Sequence, residues 1–253
     1  MSFDVASVHN SASLHSSRRS RILIADDHVM IAEAFKKLLE PEFKVVGIVA
    51  DGRQLLSSIG GIQPDLVLLE TSMPLLNGLD AGEQIKAMKR SIKLLYVTAS
   101  DSARIAAEAF RRGASGYLLK QDEIAELIIA ARYVVRGGSY LSPGIDRDEF
   151  GFHLRLGTEY STAGKLTSRQ REILQLLVEG KGAKEIGYLL KIKPGTVSFH
   201  KYRMMDALGI TTNAGLIGFA FTHGLTSRIA PPPQTGTDCQ LRLPRAVLTP
   251  WTA

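Results

Sequence analysis

Five polar residues each stand where a buried strand would end, and together they could hold a cation and an oxyanion. Asp26 and Asp27 follow the apolar run Arg21–Ala25, and Glu70 follows Leu66–Leu69. The other two, at the ends of later apolar runs, are Thr98 and Lys120. Clustered carboxylates repel one another unless a cation binds them, and a hydroxyl and an ammonium suit oxyanion oxygens. Any one of these could be a simple polar strand end, but the set indicates a functional crevice.

These residues belong to a region in which strand-like and helix-like segments alternate. Apolar runs with strand character cover Arg21–Ala25, Lys44–Ala50, Leu66–Leu69, Lys93–Thr98 and Ser115–Leu119. Segments with helical apolar spacing follow them at Val29–Leu39, Arg53–Ile59, Leu79–Lys89, Ala103–Arg112 and Asp122–Arg136. This order predicts an α/β fold with a doubly wound, five-stranded parallel sheet and helices on both faces. Side chains at the carboxyl ends of such strands line the functional crevice.

Four segments that contain these residues resemble the receiver domain of response regulators. They are Ile22–His28 (ILIADDH), Pro64–Pro74 (PDLVLLETSMP), Val97–Ala99 (VTA) and Gly113–Lys120 (GASGYLLK). The resemblance spans about residues 20–137 and implies a flavodoxin-like fold. It implies that Asp26 and Asp27 hold Mg²⁺. It also implies that Thr98 and Tyr117 are the switch hydroxyl and switch aromatic, and that Lys120 contacts the phosphoryl group.

Glu70 departs from the receiver pattern, because receivers of this kind carry the phosphate-accepting aspartate at that position. The extra methylene advances the carboxylate by roughly 1.5 Å, into space that an incoming phosphoryl group needs. We therefore expect ordinary phosphorylation to fail at residue 70, and whether a sensor kinase acts on the chain stays open. Glu70 could partly imitate the phosphorylated state by reaching Thr98 and Lys120, or it could leave an inert domain that responds to a protein or small ligand.

A purely helical pattern takes over towards the C-terminus. Thr167 and Gln170 have the spacing of a capping box at the start of a helix that Gly180 ends. Further helices are predicted over Ala183–Leu190, Pro194–Leu208 and Ala214–His223. The segment 162–227 carries nine Lys and Arg against four Asp and Glu, a net charge of +5, whereas 21–137 carries fifteen of each. We therefore predict a small basic four-helix domain, as suits a module that binds phosphates.

The helical segment resembles the LuxR-type helix-turn-helix over about residues 162–227. The segments that carry the resemblance are Leu166–Leu174 (LTSRQREIL), Glu179–Lys181 (EGK), Lys184–Ile186 (KEI), Thr196–His200 (TVSFH) and Leu208-Gly209. Gln170 replaces the usual glutamate but still completes the capping box. With the receiver-like region, the resemblance implies the NarL/FixJ class of response regulator, a transcription regulator that binds double-stranded DNA as a homodimer on paired half-sites.

The third helix of this segment has one apolar face, which we expect to pack into the core: Val197, Met204 and Leu208. The opposite face carries Ser198, Phe199 and Tyr202, and we expect it to enter the major groove, where Phe199 suits a thymine methyl group. A dimer contact or a chance patch is the alternative for the two aromatic side chains. Lys181 is a further expected phosphate contact. The predicted DNA-contacting residues are Lys184, Lys193, Thr196, Ser198, Phe199, His200, Lys201, Tyr202 and Arg203.

The remaining segments and the composition limit other functions. Residues 1–20 and 228–253 are predicted to be disordered tails, and 138–161 a linker. The single cysteine, Cys239, excludes a disulfide framework. No apolar stretch approaches the roughly 20 residues of a membrane span, and none marks a signal peptide, so we expect a cytoplasmic protein without a membrane partner. A phosphatase is disfavoured because Asp26 and Asp27 are adjacent rather than Asp-x-Asp, while an adaptor that has lost DNA binding stays open.

Overall fold

A parallel sheet of six strands forms the centre of the N-terminal region. The structure is a computed structural model that describes residues 18–156, 166–222 and 225. The strands are β1 Arg21–Ala25, β2 Lys44–Val49, β3 Leu66–Leu69, β4 Lys93–Thr98, β5 Gly116–Leu119 and β6 Tyr140–Leu141. They lie in the order β2-β1-β3-β4-β5-β6, and all pairs are parallel. The predicted doubly wound α/β fold is confirmed.

Helices cover both faces of this sheet: α1 Val29–Leu39, α2 Gly52–Ile62, α3 Gly78–Met88, α4 Ala103–Arg111 and α5 Ile124–Val135. Side chains from α2, α3 and α4 form one apolar layer, and those from α1 and α5 form the other. Along β1, Leu23 and Ala25 enter the first layer and Ile22 and Ile24 enter the second, which follows the two-residue period of a strand. Because both faces are covered, all four residues of β3 are buried.

The predicted strand count of five is wrong, and the predicted linker is not a plain linker where it is described. β6 pairs with β5 at the edge of the sheet. A further helix, α6 (Arg147–Leu156), packs on α4, with the Phe150 ring edge-on to Phe110 at a centroid distance of 5.3 Å. The sequence pattern missed β6 because two residues show no periodicity, and it read Pro143 and the nearby glycines as a connection.

The C-terminal region contains the four predicted helices, at α7 Ser168–Val178, α8 Ala183–Leu190, α9 Pro194–Leu208 and α10 Asn213–Thr222. The capping box of α7 is present in both directions: Gln170 N donates to Thr167 Oγ1 at 3.3 Å, and Thr167 N donates to Gln170 Oε1 at 2.8 Å. Val197 and Met204 of α9 are buried in the helical core, and Leu208 is half-buried, so the predicted core face is confirmed.

Several predicted features lie outside the described residues. These are residues 1–17 of the N-terminal tail, residues 157–161 of the linker, and the C-terminal tail with Cys239. Within the described part of the chain, no single helix has the length and apolar composition of a membrane span. The helices α9 and α10 meet that requirement only together, as a pair bent by 70°.

Candidate functional sites

The carboxyl ends of β1, β3 and β5 bring three of the predicted residues into one polar cluster. Lys120 lies between two carboxylates, with Nζ 2.6 Å from Asp26 Oδ2 and 2.7 Å from Glu70 Oε2. Asp26 and Glu70 are buried, and the Lys120 side chain is 12% exposed. Burial lowers the pKa of Lys120, but the hydrogen bonds and the attraction of both carboxylates outweigh it, so the pKa lies above its ordinary value of 10.5. Lys120 is therefore charged at neutral pH and binds both acids.

The other carboxylate oxygen of Glu70 is held by the loop that follows it. Oε1 accepts hydrogen bonds from Thr71 N at 2.7 Å, Thr71 Oγ1 at 2.9 Å and Ser72 N at 3.3 Å. The Thr71 hydroxyl lies 2.8 Å from the Thr98 hydroxyl. Since Thr71 Oγ1 donates its proton to Glu70, Thr98 Oγ1 is the donor to Thr71. Glu70 thus contacts Lys120 directly and reaches Thr98 through Thr71, a residue that the sequence analysis did not single out.

Asp26 and Asp27 form the predicted acid pair, and the His28 imidazole contacts both carboxylates. His28 Nδ1 lies 3.2 Å from Asp26 Oδ1 and 3.1 Å from Asp27 Oδ1. The ligand atoms of the three residues lie within 4.8 Å of one another. Two nearly buried carboxylates suit a hard divalent cation such as Mg²⁺. The Glu70 carboxylate beside them already contacts Lys120 through Oε2 and Thr71 through Oε1.

The predicted switch aromatic, Tyr117, points into the protein. It is fully buried, and its hydroxyl donates to the Ser100 carbonyl at 2.9 Å. Ser100 N in turn donates to Thr98 Oγ1 at 3.3 Å. Burial raises the pKa of the Tyr117 hydroxyl well above its usual range. Thr98 and Tyr117 are therefore linked through the backbone of Ser100.

The predicted base-reading face of α9 is accessible. Phe199 is 60% exposed and Tyr202 is 68% exposed, whereas Ser198 is partly buried. The Arg203 guanidinium lies 5.9 Å from the centroid of the Phe199 ring. The other predicted DNA-contacting residues are fully or partly exposed: Lys184, Lys193, Thr196, His200 and Lys201. The core side of α9 packs against α7 and α8, so the outward face is free to meet another molecule.

The loop after Glu70 is also the place where the helical region docks. We call Met73–Asn77 the docking loop. Gln175 of α7 donates from Nε2 to Met73 O at 2.8 Å and accepts at Oε1 from Asn77 N at 2.7 Å. Glu179 Oε1 accepts from Leu75 N at 3.0 Å. Leu75 has a φ of +63° and packs against the apolar core of the helical region. The residue at position 70 is thus three residues from a loop that α7 holds.

A buried ion network fixes the same interface. Arg171 Nε lies 2.6 Å from Asp80 Oδ1, and Arg171 Nη2 lies 2.8 Å from Glu83 Oε2. Arg112 of the N-terminal region binds the same Asp80 oxygen at 2.7 Å. The side chains of Arg171 and Asp80 are 7% and 0% exposed. Sequence reasoning missed this interface, although Arg171, Gln175 and Glu179 repeat every four residues and mark a polar face of α7.

Two known protein families match this chain. Residues 22–132 match the response regulator receiver domain, and residues 164–220 match the bacterial regulatory proteins of the luxR family. The first match contains the Asp26, Glu70 and Lys120 cluster, and the second contains most of the helical region.

Relatives of similar length share both regions. The transcriptional regulatory protein MctR of Rhizobium johnstonii is 32% identical over 211 residues, which cover 83% of this chain and 96% of that protein. The oxygen regulatory protein NreC of Staphylococcus carnosus is 31% identical over 213 residues, covering 81% and 98%. A solved structure of the RcsB response regulator of Salmonella typhimurium has a TM-score of 0.56 at 22% identity, covering 81% and 98%, and shares the fold.

Proposed function

Because the chain belongs to the response regulators that join a receiver domain to a LuxR-family DNA-binding domain, we propose that it controls transcription without phosphorylation at residue 70. It acts on double-stranded DNA, in the cytoplasm, and catalyses no reaction. The observation that carries the proposal is the state of the Glu70 carboxylate, whose two oxygens are both engaged.

A phosphoryl group that approached Glu70 would meet a carboxylate whose two oxygens both have partners. Lys120 Nζ lies 2.7 Å from Oε2, and the Thr71 amide and hydroxyl hold Oε1. The extra methylene also moves the carboxylate roughly 1.5 Å further from the backbone than that of an aspartate. In-line phosphoryl transfer is sensitive to displacements of this size. Glu70 therefore fixes the pocket in one state, in which a carboxylate supplies the negative charge that Lys120 binds.

The fixed state is an incomplete imitation of a phosphorylated receiver. A carboxylate has two oxygens and one charge, whereas an acyl phosphate has more of both. Thr71 bridges the distance that remains between Glu70 and the Thr98 hydroxyl. Asp26 and Asp27 are the residues that would hold Mg²⁺, which would supply positive charge to the acid pair when bound.

The DNA-binding part of the proposal rests on α9 and α10. The face of α9 with Phe199 and Tyr202 enters the major groove, and the surrounding cations bind phosphates. α10 is apolar around most of its circumference, and Ile217 on its outer side is 38% exposed. A helix whose apolar surface extends beyond its core-facing side favours a partner on its open side. We propose a second copy of the chain there, so that two α9 helices meet paired half-sites.

Treatment with acetyl phosphate and Mg²⁺, followed by intact mass spectrometry, tests the proposal. The native chain should gain no phosphoryl group at residue 70, and Glu70→Asp should gain one, because the rest of the pocket is present. Glu70→Gln, which has no carboxylate, is the matched control. A hydroxylamine-sensitive phosphate on Glu70 of the native chain would refute the proposal, whereas a phosphate on a serine or threonine would leave it standing.

A further inference from the structure

The outer face of α8 carries an exposed tyrosine between lysines. Tyr188 is 86% exposed. Lys184 lies four residues before it and Lys191 three residues after it, a spacing that places all three on one side of the helix. The opposite side, with Ile186 and Leu190, is buried in the helical core. Neither Tyr188 nor Lys191 has a role in the function proposed above.

Lys191 has a backbone conformation that favours glycine. As the C-cap of α8 it adopts φ 54° and ψ 44°, in the left-handed region. A side chain at this position clashes with its own backbone, which is why helices commonly end on glycine there. A lysine therefore costs folding stability that a glycine would not. Non-glycine residues in this region concentrate at functional sites. The Lys191 side chain is exposed and can meet a ligand.

Two open grooves flank Tyr188 and connect it to the start of α9. One, of about 430 Å³, is lined by Lys181, Lys184 and Leu75 of the docking loop, among others. The other, of about 760 Å³, is lined by Tyr188 and, towards α9, by the turn at Lys191–Pro194. Pro194 is the first residue of α9. The face of α8 is thus continuous with the end of the helix that reads DNA.

The charge of this face is strongly positive. Lys181, Lys184, Lys191 and Lys193 line the two grooves, and Glu185 is the one acidic residue among the lining residues, a net charge of +3. The Glu185 carboxylate accepts from Gly182 N at 2.8 Å at the start of α8. A positive strip beside the recognition helix is complementary to the phosphates that flank a half-site.

We propose that Tyr188 and Lys191 contact the DNA backbone beside the half-site that α9 reads. The inference rests on the proposed DNA-binding function and extends its contact surface to the C-terminal end of α8. Lys191 binds a phosphate through its ammonium. The Tyr188 hydroxyl donates to a phosphate oxygen while its ring packs on the adjoining sugar. Such contacts set register and affinity without reading sequence.

The strain at Lys191 provides a test in which stability and binding move in opposite directions. Lys191→Gly should raise the thermal midpoint of the full chain, by about 2–4 °C for the relief of one left-handed residue. It should also weaken binding to specific and random duplexes by the same factor and make the negative slope of log K against log salt shallower by about 0.9. Tyr188→Ala should weaken both duplexes equally with the slope unchanged, because tyrosine carries no charge.

Gln63→Gly is the matched control. Gln63 ends α2 in the receiver domain with φ 49°, also in the left-handed region, and is exposed. Its replacement should raise the thermal midpoint and leave DNA binding as in the native chain. If the native chain binds duplex DNA but Lys191→Gly keeps the native affinity and salt slope, the contact is absent and the proposal is overturned. If the native chain binds no duplex at low salt, the proposed function fails, and this inference fails with it.

Discussion

Removal of the Arg171 side chain should release the helical domain from the receiver domain. Breaking a buried ion pair costs about 3–5 kcal/mol when the remaining charge has no other partner. In this variant Asp80 still contacts the Arg112 guanidinium at 2.7 Å and the side-chain amide of Asn77 at 2.8 Å. The Glu83 side chain is 43% exposed to water. The cost of Arg171→Ala therefore lies at the lower end, about 3 kcal/mol, which increases the undocked population by about 100-fold.

Hydrogen exchange of the docking loop measures this population. The backbone amides of Leu75 and Asn77 donate to Glu179 and Gln175 across the interface. Their hydrogens therefore exchange with solvent when the domains separate. Their exchange rates should rise by up to about 100-fold in Arg171→Ala. Arg132→Ala is the control, because Arg132 and its partner Glu42 both belong to the receiver domain. It should leave these two rates unchanged.

Equal exchange rates of the Leu75 and Asn77 amides in Arg171→Ala, Arg132→Ala and the native chain would refute this reasoning. The buried pair with Asp80 would then contribute nothing to docking, and the docking-loop hydrogen bonds would hold the interface alone.

Other expected outcomes concern DNA reading, assembly and the pocket. Phe199→Ala should lose about 1–3 kcal/mol of discrimination between specific and random duplexes, while Lys201→Ala should weaken both equally; equal weakening by Phe199→Ala would contradict its contact with bases. Ile217→Ser should shift the DNA-bound chain from dimer to monomer in sedimentation experiments, and an unchanged dimer would place the interface elsewhere. Because the pKa of Lys120 is raised on folding, the stability gained from its contact with Glu70 should be complete below about pH 10 and fall as pH rises above 10.5. Denaturant titrations give the free energy of unfolding of the native chain and of Lys120→Met, and the difference between the two should shrink as pH rises through that range. A difference that stays constant would contradict the pairing.

The sequence was informative where local pattern and chain order determine the structure. The parallel sheet places the ends of β1, β3 and β5 together, so Asp26, Glu70 and Lys120 could be grouped before their distances were known. The core face of α9 followed from helical spacing in the same way. Periodicity gives such results because side chains at known intervals must share one face.

Contacts between distant segments could not be predicted in this way. Gln175 of α7 and Asn77 of the docking loop meet across the domain interface, and no periodicity in either segment specifies that pairing. The role of Thr71 depends on the direction of a single hydroxyl between Glu70 and Thr98. Lys191 gave no signal either, because its left-handed backbone is visible only in the structure.

The most direct test of phosphorylation independence is a DNA-binding titration of the native chain with and without acetyl phosphate and Mg²⁺. We expect the two binding curves of the native chain to coincide, because Glu70 already binds Lys120 and both of its carboxylate oxygens have partners. Glu70→Asp, measured in parallel, shows whether the donor treatment is effective, since this variant should become phosphorylated. A native chain that binds its DNA more tightly after donor treatment, with a phosphate mapped to residue 70, would contradict the proposal.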